Sequence, residues 1–131
     1  MNILLDTHFL IWAIADTKKL HAREQELLAD PENGVFVSVV SIWEIAIKSA
    51  IGKMEMEPAQ VAGLPEAVRE ARFEIIGLEP SEAASFRLLP KAHKDHFDRM
   101  LVWQAISRAL HLMTRDKDLA VYRDAGLKFV G

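Results

Sequence analysis

Four acids stand out by where they fall in the chain: Asp6 in NILLDTHFLIW, Glu44 in SVVSIWEIAIK, Asp98 in HKDHFDRMLVWQA and Asp116 in LMTRDKD. A carboxylate set against apolar runs faces desolvation and needs a partner. Gathered in one pocket, the four would repel one another and raise their pKa values unless a cation balanced them. Oxygen donors with no thiolate favour a hard ion, Mg²⁺ or Mn²⁺, over zinc. Such a site suits phosphodiester hydrolysis, because a divalent ion acidifies a water and neutralises charge on the phosphoryl and leaving oxygens; two ions would sit roughly 3.5 to 4 Å apart.

Each acid also has a simpler role open to it. Ser41 and Glu44 match the capping box S-x-x-E, and Glu44 with Lys48 forms an i, i+4 pair. Asp98 fits the first turn of a helix, where the dipole favours an acid, and Asp6 and Asp116 could be N-caps. Against the simple role for Asp98, positions 98, 101, 102, 105, 106 and 109 share one helical face, and the other five are Leu101, Val102, Ala105, Ile106 and Ala109. Asp98 thus extends a core-facing stripe. Lys48, Lys53, Arg99 and Arg115 lie close in sequence to these acids and are candidates to hold a nucleic-acid backbone, with ordinary surface charge as the alternative at each.

The elements that must position these groups alternate in type. Strand-like runs cover 3–5, 35–40, 74–78, 110–114 and 127–130, and helical patterns cover 7–15, 18–29, 42–52, 59–72, 81–88, 96–109 and 119–124. Alternation of this kind predicts right-handed crossovers and a mostly parallel sheet with helices on both faces, an α/β fold. Sites in open α/β sheets lie beyond the carboxyl ends of strands. Asp6 and Asp116 directly follow the first and fourth strands, and Glu44 lies in the helix after the second, so these three start from one rim. Asp98 joins them if its helix points its N-terminus there. Pro31, Asn33 and Gly34 mark a turn, and Gly126 is expected at a helix C-cap.

At 131 residues, half of them hydrophobic, the chain is expected to form one domain, 1–131. It has no cysteine, which excludes disulfides, thiolate metal sites and cysteine nucleophiles. The apolar N-terminus is interrupted by Asp6 and His8 and lacks a preceding basic residue, unlike a signal peptide. No stretch is long enough for a membrane span, and the expected location is the cytoplasm. A net charge of −3 argues at first against nucleic acid as a partner. Net charge averages over sites, however, and without the four acids the remainder of the chain is not anionic.

Taken together, LLDTHFLIW, SVVSIWEIAIKSAIGKM, HKDHFDRMLVWQA and LMTRDKDLAVY resemble, in order and spacing and nearly end to end, PIN-domain proteins of the VapC type, the toxin half of toxin-antitoxin pairs. The resemblance implies a single PIN-like domain with a five-stranded parallel sheet flanked by helices, and a Mg²⁺- or Mn²⁺-dependent endoribonuclease. It places the catalytic and metal-binding acids at Asp6, Glu44, Asp98 and Asp116. Thr7 matches the hydroxyl residue that orients the first acid, Thr114 belongs to the T-x-D element, and Asp118 matches a further acid near the fourth. Asp95 also matches an acid at the helix entry, and is assigned the N-cap. Lys48, Arg99 and Arg115 remain as RNA contacts. Where the family usually has Pro in D-P-F-D-R, this chain has His96, which removes a residue suited to a first helical turn but no acid. The resemblance further implies a homodimer held inactive by a cognate antitoxin.

Other chemistries lack their marks. There is no G-x-G-x-x-G, no phosphate loop around Gly52 and Lys53, and no G-x-S-x-G. His93, His96 and Asp98 allow a transition-metal site in principle. A receiver-like phosphoacceptor domain would share the sheet, the acids and Mg²⁺ but needs a lysine after a late strand, where this chain has Thr114-Arg115-Asp116. In a catalytically silent PIN-like interaction module the acids would only cap helices. Mn²⁺ titration and labelling by a small phosphodonor discriminate among these.

Overall fold

The structure, a computed structural model, describes residues 1–130. Strand β1, Asn2–Leu5, is an apolar run because it is covered on both faces: Ile3, Leu4 and Leu5 are fully buried. It pairs in parallel with β2 (Gly34–Ser38) on one side and β4 (His111–Met113) on the other, with Leu4 opposite Phe36 and Leu112. With β3 (Glu74–Ile76) and β5 (Lys128–Phe129) outside them, the five strands run in the order β3-β2-β1-β4-β5, all parallel. The chain therefore builds outward from β1 in one direction, then returns to build outward in the other. The gap between β1 and β4 is the topological switch point, where ligand sites form in such sheets.

Two apolar layers cover the sheet. Ile3 and Leu5 face one with Phe9, Val37, Ile45 and Val68, while Leu4 faces the other with Val102, Leu112 and Tyr122. The first layer is closed by α1 (Thr7–Ala15), α2 (Ala22–Ala29), α3 (Val39–Ala50) and α5 (Leu64–Glu70), and the second by α7 (His96–Arg108) and a 3₁₀ segment, Lys117–Ala125. Short helices α4 (Pro58–Ala62) and α6 (Pro80–Ser85) complete the connections. No described helix is long and apolar enough to cross a membrane.

Departures from the predicted elements have local causes. Val39 and Val40, expected in β2, open α3 instead, because the Ser38 hydroxyl accepts the Val40 N–H at 3.1 Å and caps the helix. That cap outweighs the β preference of two valines. It also means that the Ser41 and Glu44 capping box does not form; Glu44 lies in the second turn. The predicted helix over 59–72 breaks at Gly63, where Pro65 follows in the first turn of α5 and cannot donate to α4. The predicted helix over 18–29 begins as a 3₁₀ turn, Thr17–Lys19, and resumes at Ala22 after Glu24 accepts the His21 N–H at 2.7 Å. The segment after Asp116 is 3₁₀ rather than α, ending at Gly126 in the left-handed region (φ 106).

Candidate metal centre

All four sequence-predicted acids lie at the carboxyl rim of the sheet. Asp6, at the end of β1, is buried and caps α1: its Oδ1 accepts the Phe9 N–H at 2.8 Å. Its second partner is the Thr114 hydroxyl, which also accepts the Asp116 N–H at 3.1 Å. Thr114 thus ties the first acid to the backbone of the fourth across the switch point. Glu44 is almost fully buried; its Oε1 accepts the Thr7 hydroxyl at 2.6 Å, and its Oε2 is bonded by Lys48. The Thr7 oxygen also lies 3.1 Å from the Ser41 hydroxyl. Asp98 sits half-buried in the first turn of α7, whose N-cap is Asp95, with Asp95 Oδ1 accepting the Asp98 N–H at 3.0 Å. Asp116 caps the 3₁₀ segment, its Oδ1 accepting the Asp118 N–H at 2.9 Å, and offers its other oxygen to His93 Nε2 at 3.3 Å.

These acids interact with one another. Burial pushes Asp98 up to about 7, and the charges of Asp95, Glu44 and Asp6 push in the same direction, with His93 opposing. Burial likewise raises Asp6; the Phe9 N–H and Thr114 oppose it, and Glu44 adds to it. Asp98, Asp116 and His93 each present a donor atom within 4.8 Å of the other two. Asp6, Glu44, Asp98 and Asp116 therefore form one cluster in which like charges are compressed. Lys48 is the cation set among them: it bonds Glu44 and lies 3.6 Å from Asp95 Oδ2. Partial burial works against its charge, yet Glu44, Asp95 and Asp98 hold its ammonium more firmly protonated than usual.

The other candidates separate into different roles. Arg99 is buried, donates to the Leu89 carbonyl at 3.2 Å and stacks over Phe86 at 4.7 Å, so it clamps the loop before α7 and is not available to a nucleic acid. Arg115 is engaged by Glu24 at 2.5 Å and by the Lys19 carbonyl at 2.7 Å, and lies over Trp12 at 4.5 Å. Asp118 contributes its N–H to Asp116 while its side chain is exposed. Lys53 is exposed in the turn after α3. The residue that sequence reasoning undervalued is His93. Its separation from Asp116 in the chain hid the pairing; the signal was its place five residues before Asp98 in the loop that enters α7.

Oxygen donors gathered at one rim, two of them raised in pKa by burial with neighbouring acids adding to it, fit a divalent cation better than they fit each other. This donor chemistry matches the hard ion expected from sequence. A family model described as PIN domain matches residues 3–125. Solved structures with similar folds include VapBC2 from Rickettsia felis bound to a DNA fragment from its promoter, at TM-score 0.70 and 18% identity over 99% of this chain and 98% of that one. FitAcB from Neisseria gonorrhoeae follows at TM-score 0.64 and 17% identity, covering 98% and 96% of the two chains. VapBC-5 from Mycobacterium tuberculosis, a member of the VapBC family of toxin-antitoxin systems, is similar at TM-score 0.59 and 19% identity, covering 98% of both. No curated protein sequence matches the chain. PIN domains are nucleases, and a model matched from the first strand to the last helical segment, with four acids at the switch point of a parallel sheet, means that this chain belongs to the PIN domain family.

Proposed function

We propose that the protein is a metal-dependent endoribonuclease, the toxin of a toxin-antitoxin pair, that hydrolyses RNA phosphodiester bonds. The observation that carries this reading is the acid cluster: Asp6, Glu44, Asp98 and Asp116 come from four separate segments to one rim, where burial and neighbouring acids disfavour the charges of Asp6 and Asp98, a cost that a divalent ion would remove. Asp98 and Asp116, whose donor atoms already lie within 4.8 Å of each other, would hold Mg²⁺ or Mn²⁺ together with Asp6, with Glu44 reached once Lys48 gives way. When bound, the ion supplies an acidified water and neutralises charge on the phosphoryl oxygens.

The chain's own groups have definite tasks in this scheme. Asp98, protonated near neutrality in the metal-free protein, gives up its proton when a cation enters the cluster. Thr7 fixes the Glu44 carboxylate and Thr114 fixes Asp6 relative to Asp116, so the donors are oriented before a ligand arrives. Lys48, released from Glu44, becomes free to face a backbone phosphate.

Protein partners are part of the same reading. Trp43 is 60% exposed, packs edge-on against Phe97 at 5.4 Å and borders an apolar cavity with Val40, Leu78 and Met100. Apolar surface of this kind supports burial against a second copy or an antitoxin. The names of the similar structures, complexes of the VapBC type, favour an antitoxin.

The deciding experiment incubates the purified protein with total RNA and, separately, with single-stranded DNA, in Mg²⁺, in Mn²⁺ and with a chelator. Discrete RNA fragments with either metal and none with the chelator are expected. Cleavage unaffected by the chelator, or no cleavage and no Mn²⁺ binding, would overturn the reading in favour of a silent PIN-like module.

A further inference from the structure

Within the acid cluster, one imidazole has its ring chemistry fixed by the backbone. His93 Nδ1 accepts the N–H of Asp95 at 3.2 Å. An sp² nitrogen that accepts a hydrogen bond carries no proton, so in the uncharged ring the proton is on Nε2. That nitrogen stands 3.3 Å from Asp116 Oδ2, and the ring is largely shielded, with a side-chain exposure of 16%. The other Asp116 oxygen is already committed to the Asp118 N–H. One Asp116 oxygen is therefore held by its own turn, and the other lies in contact with the imidazole of the loop that enters α7.

Two roles fit a histidine so close to candidate ligands, and the hydrogen bonding separates them. A metal-ligating histidine donates its other ring N–H to an acceptor, which fixes the tautomer with a lone pair toward the metal. Here the second nitrogen meets a donor, the Asp95 N–H. Ligation through Nε2 would require lone pairs on both nitrogens, an imidazolate. We propose that His93 is a positioning residue: an Nε2-protonated imidazole, seated on the Asp95 backbone, that orients the Asp116 carboxylate into the cluster and is not itself a ligand. This rests on the metal-nuclease reading above. Asp95 then has two functions, capping α7 with its side chain, which sets Asp98, and setting the His93 tautomer with its N–H, which sets Asp116. A single residue outside the ligand set thereby aligns two ligands from distant segments.

The test uses the full-length protein with His93→Ala and His93→Gln, the second because the glutamine amide nitrogen can reach where Nε2 stood. Calorimetry should show Mn²⁺ binding weakened about 10- to 100-fold in His93→Ala and largely restored in His93→Gln, with the unfolding temperature of the metal-free proteins unchanged. Long-range ¹H–¹⁵N spectra of the wild type should show Nε2 protonated and Nδ1 bare, both without metal and with Mg²⁺. Wild-type affinity in His93→Ala, no recovery in His93→Gln, or an Nε2 that loses its proton to bind the ion would each overturn the assignment while leaving the metal centre standing. A wild type that binds no Mn²⁺ would sink the metal centre, and this proposal with it.

Discussion

Helix α7 serves two buried charge clusters, and they are built on opposite plans. Near its C-terminal end, Arg108 grips Glu82 with two hydrogen bonds of 2.7 and 2.8 Å, and Gln104 joins Glu82 to the Ser38 hydroxyl and the Gly77 carbonyl. Charge is matched there and donors meet acceptors. The Arg108 guanidinium holds Glu82 down at about 2, against the usual 4.5, although burial opposes it. At the N-terminal end, acids outnumber cations and Asp98 is pushed up to about 7. The first cluster joins β2, α6 and α7 into a stable unit; the second carries an imbalance that a ligand can relieve. Perturbed carboxylates at the two ends of α7 thus report structure when lowered by a matched partner and a binding site when raised by burial among other acids.

The largest expected effect is chemical. Asp6→Asn or Asp98→Asn should reduce RNA cleavage by at least about 10³-fold, since each removes charge from the metal cluster at nearly constant shape. Circular dichroism should show the fold retained, and comparable cleavage rates would contradict the assignment. Next comes Arg108→Ala, which leaves Glu82 buried without its partner. Because Arg108 itself is partly exposed, a loss of about 2 to 3 kcal/mol is expected in urea unfolding. Cleavage per folded molecule should persist.

The pH response distinguishes the clusters further. Glu82 has a lowered pKa, so its contribution is present above about 4.5 and lost as pH falls toward 2. Asp98 has a raised one, so its contribution is present below about 3.8 and lost as pH rises through about 7. Metal-free protein should therefore lose about 1 to 2 kcal/mol between pH 5 and 8 on account of Asp98, a figure reduced for its partial exposure. Asp98→Asn should flatten that slope, and Mg²⁺ should reverse it in the wild type only. A slope unchanged in Asp98→Asn would place the imbalance elsewhere. The smallest effect on function is assigned to Lys48→Met: a loss of about 2 kcal/mol without metal, because Glu44 is left buried without its partner, and Mn²⁺ binding a few-fold tighter in titrations because Glu44 no longer has a competing cation.

What the sequence disclosed follows from how each feature is encoded. Apolar runs ending in an acid located β1, β4 and the rim, since a strand buried on both faces leaves a continuous hydrophobic signature. The five-stranded parallel sheet was legible for that reason. The start of α3 was not, because Val39 and Val40 read as strand and only the Ser38 cap, a contact between neighbouring atoms, decides otherwise. Arg99 was misread for a related reason: beside Asp98 it looks like a surface cation, but its guanidinium packs on Phe86, thirteen positions earlier. The pairing of His93 with Asp116 crosses two elements, and no spacing rule reaches that far.

The strand order has a consequence for the timing of activity. β1 is made before the other strands of the sheet but occupies its middle, and the strand that brings Asp116 to its side is the fourth to be made. A growing polypeptide that stops short of β4 has three acids and an open seam beside Leu5, with no Thr114 to hold Asp6. Assembly of the four-acid cluster is thus deferred until the fourth strand has been made and has docked beside the first.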